Sequence, residues 1–139
     1  MKLFDTNALI YSFDTTSTFH AWAKAKLSAS ILKGEALVNP VILAELAVGD
    51  TNPSSLPDRL RGLGIALIDL PWESAEAAAS AFADYLQARI LSGNPSSLKT
   101  PLPDFFIGAH AKLLSCPIVT VDVQRYQTYF PTVELIHPV

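Results

Sequence analysis

One cysteine, Cys116, stands in a chain of 139 residues. No internal disulfide can therefore form, and a reducing, cytoplasmic home is the expectation. Cys116 precedes Pro117 at the head of an apolar segment, which fits a buried structural thiol. Charged residues make up only 17% of the chain against 50% apolar ones, a balance that excludes disorder and suffices for a sizeable core. No apolar run approaches the roughly 18 residues needed to span a bilayer. Asp5 also interrupts the N-terminus too early for a secretory leader, so no membrane role is expected. No glycine-rich loop follows the first apolar segment, which excludes a dinucleotide-binding fold. No His or Cys stands at ligand spacing, which argues against zinc. Net charge is −3, no general attraction for nucleic acid. If four acids gather in one site, nine remain against ten Lys and Arg, so a polyanionic partner is not excluded either.

What the chain does have is an alternation of short apolar segments and longer helical patterns. Lys2-Leu3-Phe4 reads as a strand that stops at Asp5-Thr6-Asn7, with a short helix following over 8–13. Phe19, Trp22, Ala25, Ala29 and Leu32 follow helical spacing, and Gly34 is placed to stop that helix. Residues 36–38 form a second strand, after which Asn39-Pro40 opens a helix through 48. That helix is apolar on every face except at Glu45, so it is expected to be buried and its one charge partnered. Residues 65–68 and 117–121 read as further strands, 72–91 and 104–114 as helices, and 133–136 as a fifth strand at the edge. No internal repeat is evident. Residues 1–139 are expected to form one domain, α/β in class, with a central, mostly parallel five-stranded sheet.

In such a sheet right-handed crossovers bring the C-terminal ends of all strands to one rim, where ligands bind. Asp5 and Asp122 end strands; Asp104 begins a helix, and Glu45 lies early in another. Each has a plain structural alternative: Asp5 and Asp104 as helix caps, Glu45 as part of a solvated strip. Brought together, however, two carboxylates about 4 Å apart repel by roughly 4 kcal/mol at an effective dielectric near 20. Four need a counter-charge, and only Arg125 follows one of them closely in sequence. All-oxygen donors suit Mg²⁺ or Mn²⁺, and such a centre fits hydrolysis of a phosphate ester.

These motifs resemble those of PIN-domain ribonucleases. The resemblance runs through Asp5-Thr6-Asn7, Asn39-Pro40 with Glu45, Leu102-Pro103-Asp104 with Ile107-Gly108-Ala109, and Thr120-Val121-Asp122. The VapC-type toxins of toxin–antitoxin systems are the subgroup most similar. The resemblance covers essentially the whole chain, and it implies an αβα sandwich bearing a metal-dependent endoribonuclease site. It implies an acidic quartet of Asp5, Glu45, Asp104 and Asp122. Asp5, Asp104 and Asp122 would hold Mg²⁺, with Mn²⁺ as substitute, and Glu45 would orient or deprotonate the attacking water. Thr6, Asn7 and Thr120 match polar positions that hold the acids in place. RNA as substrate, a small cognate antitoxin that blocks the site, and a homodimer are implied in the same way. Residue 121 is Val where many relatives carry a polar or basic residue, a departure that bears on local substrate contact.

Arg59, Arg61, Arg89, Lys99 and Arg125 are candidate phosphate contacts, each with solvated surface charge as its alternative. Tyr126 and Tyr129 are read as packing residues rather than base-stacking ones, and His20 and His110 as non-catalytic. A PIN-like module that binds RNA or protein without cutting is the rival reading; the presence of all four acids speaks against it. An aspartyl-nucleophile phosphatase would want Asp where Asn7 stands. A phosphoryl-accepting receiver would want paired acids before the first strand ends and a lysine following a late strand; neither is seen.

Overall fold

The structure is a computed structural model describing residues 1–139. β1 (Lys2–Phe4), β2 (Ala36–Val38), β3 (Ala66–Leu67), β4 (Ile118–Val119) and β5 (Leu135–Ile136) form one sheet. Its order is β3-β2-β1-β4-β5 and every pairing is parallel. β1 is thus central, with Leu3 opposite both Leu37 of β2 and Ile118 of β4. Strands buried on both faces need continuous apolar runs, and Leu3, Phe4, Val38, Ile118 and Val119 are all almost fully buried. The strands are shorter than their apolar segments predict. The Thr120 amide still donates to the Ile136 carbonyl of β5, but the amides of Val121 and Asp122 turn to the Asn7 and Thr120 side chains, which ends the ladder there.

The chain runs from β1 outward to β3, then crosses back to β4 beside β1 and continues to β5. Right-handed crossovers in opposite directions put the intervening helices on opposite faces. α1 (Thr6–Phe13), α2 (His20–Leu32), α3 (Pro40–Val48) and α4 (Leu56–Leu63) belong to the first run. α5 (Ser74–Leu91), α6 (Pro103–Leu114) and α7 (Gln124–Tyr129) belong to the second. Gly34 ends α2 as its position predicts: at φ +66° it adopts the left-handed conformation, and the next amide reaches back to the Ser30 carbonyl. No helix is long and apolar enough to cross a membrane.

α3 departs from expectation. Its apolar surround predicts burial, yet only Ile42 is fully buried and Val48 is almost wholly exposed. The helix lies against α1 and α6 at the rim rather than under a layer, leaving one apolar face uncovered. Asn39 caps it as the sequence suggests, accepting from the Ile42 amide at 2.9 Å. The Asn39 amide also lies 3.1 Å from Nδ1 of His110, a buried histidine of α6. His110 therefore has a packing role: it ties α6 to the start of α3.

Gly108 explains how α6 can sit close to α7. A Cβ at this position would stand 2.4 Å from the Phe130 ring. Gly108→Ala is expected to lower stability by about 1–3 kcal/mol through overpacking, to be measured by urea unfolding. A variant as stable as wild type would mean that Phe130 swings away freely.

Candidate active site

The order reverses between β1 and β4, and the crevice beyond their C-terminal ends is where a parallel sheet presents a ligand site. Asp5 follows β1 directly and Thr120 to Asp122 follow β4. α3 and α6 bring Glu45 and Asp104 to the same place. The four acids line one small cavity of about 220 Å³ together with Thr6, Asn7 and Ile10.

Asp5 sits deepest, 4% exposed. Its carboxylate accepts from the Thr6 amide (2.8 Å), the Thr120 hydroxyl (2.9 Å) and the Tyr126 hydroxyl (3.0 Å). It also begins α1, so the capping alternative and the site position coincide in this residue. Burial pushes its pKa up to about 6, with the Asp104 charge adding to the rise; the three donors act against it. The Thr6 hydroxyl donates to Glu45 at 2.7 Å, which fixes Glu45 against α1. The Thr120 hydroxyl accepts the Asp122 amide at 3.1 Å, and Asn7 Oδ1 accepts the Val121 amide at 3.2 Å. Thr6, Asn7 and Thr120 thus each join two of the chain segments that carry acids. Every buried side-chain nitrogen and oxygen has a hydrogen-bond partner.

Asp104 stands in the first turn of α6, but Leu102 is the residue before the helix and no side chain caps it. Capping is therefore not its role. Its carboxylate accepts from Arg125 Nη1 at 3.0 Å instead. Burial raises its pKa even so; the Arg125 charge and hydrogen bond pull it down, and Asp122 pushes it up. Asp122 is the most exposed of the four.

Two residues of this site have contacts that sequence reasoning did not supply. Arg125, named there as a counter-charge close to Asp122 and as a candidate phosphate contact, pairs with Asp104, which lies 21 positions away. Tyr126 reads as an apolar ring on the buried side of a short helix, and its ring is indeed 1% exposed. Its hydroxyl nevertheless reaches Asp5, and burial, then the Asp5 and Asp104 charges, push its own pKa far up. A tyrosine four residues after Asp122, rather than phenylalanine, was the available signal.

No three of these carboxylates stand close enough together to enclose an ion on their own. The donor set nonetheless fits a hard divalent cation of the Mg²⁺ type, which keeps several waters and binds through one or two carboxylates. Burial chiefly, and the neighbouring charges of Asp104 on Asp5 and of Asp122 on Asp104 in addition, disfavour the ionised forms, and a cation relieves both. Arg125 provides part of that relief in the protein alone.

Among proteins of curated function none matches the chain. Its fold is shared with solved structures of low identity. VapBC2 from Rickettsia felis bound to a promoter DNA fragment is 16% identical, with 99% of this chain and 98% of that one covered and a TM-score of 0.69. A toxin–antitoxin complex from Klebsiella pneumoniae is 23% identical over 100% and 98%, TM-score 0.67. FitAcB from Neisseria gonorrhoeae is 22% identical over 99% and 98%, TM-score 0.61. The profile of the PIN domain matches residues 2–131, which takes in all four acids and the whole sheet but its last strand. The chain belongs to the PIN domain family.

Proposed function

We propose that the protein is a Mg²⁺- or Mn²⁺-dependent endoribonuclease and the toxin of a toxin–antitoxin pair. The observation that carries this reading is the single pocket lined by Asp5, Glu45, Asp104 and Asp122. A binding module that does not cut has no need of four acids around one pocket, two of them held with their ionised forms disfavoured by burial. Asp5, Asp104 and Asp122 are the residues that would hold the ion. The ion supplies an acidified water and stabilises negative charge on a phosphodiester. Glu45, fixed by Thr6, is the group placed to orient that water or accept its proton. Thr120 and Tyr126 keep Asp5 oriented and, as donors, favour its ionised form.

The partner reading has support of its own. An apolar groove of about 810 Å³ runs beside the acids, lined by Ile10, Phe13, Leu46, Leu56, Leu60 and Leu63. Glu45 and Ile10 border both this groove and the acid pocket. A small protein seated there would overhang the acids, which is how an antitoxin would silence them. Several of the neighbouring folds were solved as VapBC or toxin–antitoxin complexes. The homodimer belongs to the same proposal and is checked by light scattering on the purified chain.

The decisive test is cleavage of an RNA pool by purified protein in Mg²⁺ or Mn²⁺ and in chelator. Cutting that needs the metal and vanishes in Asp104→Asn is the expected result. Cutting that survives both chelator and the substitution would assign the activity elsewhere.

A further inference from the structure

We propose that the hollow between α5 and α7 holds one unpaired nucleotide of the RNA beside the phosphate being cut. The proposal rests on the ribonuclease reading and gives that site a substrate-selecting neighbour. The hollow measures about 370 Å³ and is lined by Tyr85, Asp122, Gln124, Arg125, Thr128 and Tyr129. Ligand pockets begin at roughly 300 Å³, so this one suits a single nucleotide rather than a duplex. Asp122 lines both the hollow and the acid pocket, so whatever enters one lies next to the other.

Its walls have the chemistry for a base and a phosphate. Tyr85 and Tyr129 meet edge to face at 5.9 Å, and Phe105 packs against each at 5.5 Å from below. Both tyrosines remain half-exposed, so each offers ring surface that is already immobilised. Aromatic rings held in this way are stacking platforms for unpaired bases. Two guanidinium groups flank the same place: Arg125 lies 5.5 Å and Arg89 5.9 Å from the centre of the Tyr85 ring. Arg125 is held by Asp104, and Arg89 by the Asn94 carbonyl at 2.6 Å. Arg125 thus sets a cation beside Asp122, the acid shared by the two pockets, and Arg89 stands by the same Tyr85 ring. The exposed Gln124 and Thr128 side chains supply hydrogen-bonding groups for a base edge.

The opposite flank is poorer in this chemistry. The apolar groove has one arginine, Arg59, paired with Asp50 at 2.6 Å, and one aromatic ring, Phe13, among mainly aliphatic side chains. That side suits a protein chain, and the α5–α7 side suits RNA.

The experiment is steady-state cleavage of a short unpaired RNA of mixed sequence by the Mg²⁺-loaded chain, with KM and kcat separated and the cut ends sequenced. Binding of the same strand, fluorescein-labelled, is followed by anisotropy in chelator. Tyr129→Leu keeps apolar volume but removes the stacking face. It is expected to raise KM about ten-fold and change the base preference beside the cut. Manganese binding stays as in wild type, and Tyr129→Phe restores KM. Arg89→Met is expected to reduce the slope of log affinity against log salt by about 0.7, the loss of one phosphate contact on a single strand. If Tyr129→Leu fails to fold, Gln124→Ala with Arg89→Met carries the test from the surface. Folded variants that cut with wild-type KM, salt slope and base preference would overturn the subsite while leaving the nuclease standing. A wild type that binds the strand through these residues yet cuts nothing would support the subsite and remove the catalytic reading. A wild type that does not bind the strand overturns the subsite.

Discussion

Asp104→Asn is expected to fold like the wild type and to lose cleavage by at least about a hundred-fold. That loss is typical of removing one electrostatic stabiliser from a reaction centre. The reasoning turns on what holds the side chain. Asp104 does not cap α6, so the helix start does not depend on it. Its one direct bond is to Arg125, and the pair is partly exposed, at 27% for the acid and 35% for the arginine. An ion pair this open to water contributes on the order of 1 kcal/mol or less. Burial raises the pKa of Asp104 despite Arg125, so the ionised form is disfavoured where it stands and a neutral isostere relieves that penalty. Arg125 in turn keeps its ring contacts with Tyr85 and Phe105. The outcome is checked by circular dichroism, thermal melting and metal-dependent RNA cleavage on the same preparation. A folded Asp104→Asn protein that cuts at the wild-type rate removes Asp104 from the site. A protein that unfolds would show that the Arg125 pair carries more of the fold than its exposure implies.

The acids were legible because of where parallel strands end. Asp5 closes an apolar run and Asp122 follows another, and a sheet of this topology brings such positions to one rim whatever the helices do. The supporting hydroxyls at Thr6 and Thr120 could be named because they adjoin the acids in sequence. Two kinds of fact could not be read in that way. The Arg125–Asp104 pair depends on the angle at which α7 crosses α6, which no local pattern encodes. Tyr126 was hidden by its own ring: spacing reports only that a large residue is buried, and the hydroxyl at its far end follows where the ring points. The exposure of α3 is a different lesson. A helix apolar on all sides is under-described by its sequence, because a face left for a partner and a face buried in the core have the same composition. Leu46 and Val48 would read alike in either setting. Strand length was overestimated for a related reason, since Val121 has a β-favouring side chain but gives its amide to Asn7 rather than to a neighbouring strand.

The acid cluster should also be visible in stability, without any substrate. Asp5 has a folded pKa raised to about 6 against an ordinary value of 3.8. The folded state therefore binds this proton more tightly than the unfolded chain. The resulting stability is fully present below about pH 3.8 and is lost as pH rises through about 6. Two pKa units correspond to about 3 kcal/mol. Asp104 is shifted in the same direction and adds to the decline. Asp14, Glu35 and Asp50 are shifted downward by hydrogen bonds and act oppositely, gaining stability as pH rises through the ordinary carboxylate range. They are partly exposed and solvent-screened, so they weigh less than the buried acids. His110, which burial holds below the ordinary histidine value of 6.5, also gains stability as pH rises toward that value, so the decline from Asp5 and Asp104 is read below about pH 6. In chelator, urea unfolding is expected to show stability falling between about pH 4.5 and pH 6. On the proposed reading a divalent cation would bind the ionised acids and reverse the sign. At a concentration about 100 times its dissociation constant it adds about 2.7 kcal/mol at pH 7. Asp104→Asn is expected to flatten part of the chelator profile and to remove most of the gain from metal. A wild-type protein equally stable from about pH 4.5 to pH 6, and indifferent to Mg²⁺ and Mn²⁺ up to pH 7, would mean that the four carboxylates do not act as one charge cluster. The metal-dependent chemistry assigned to them would then have no physical basis.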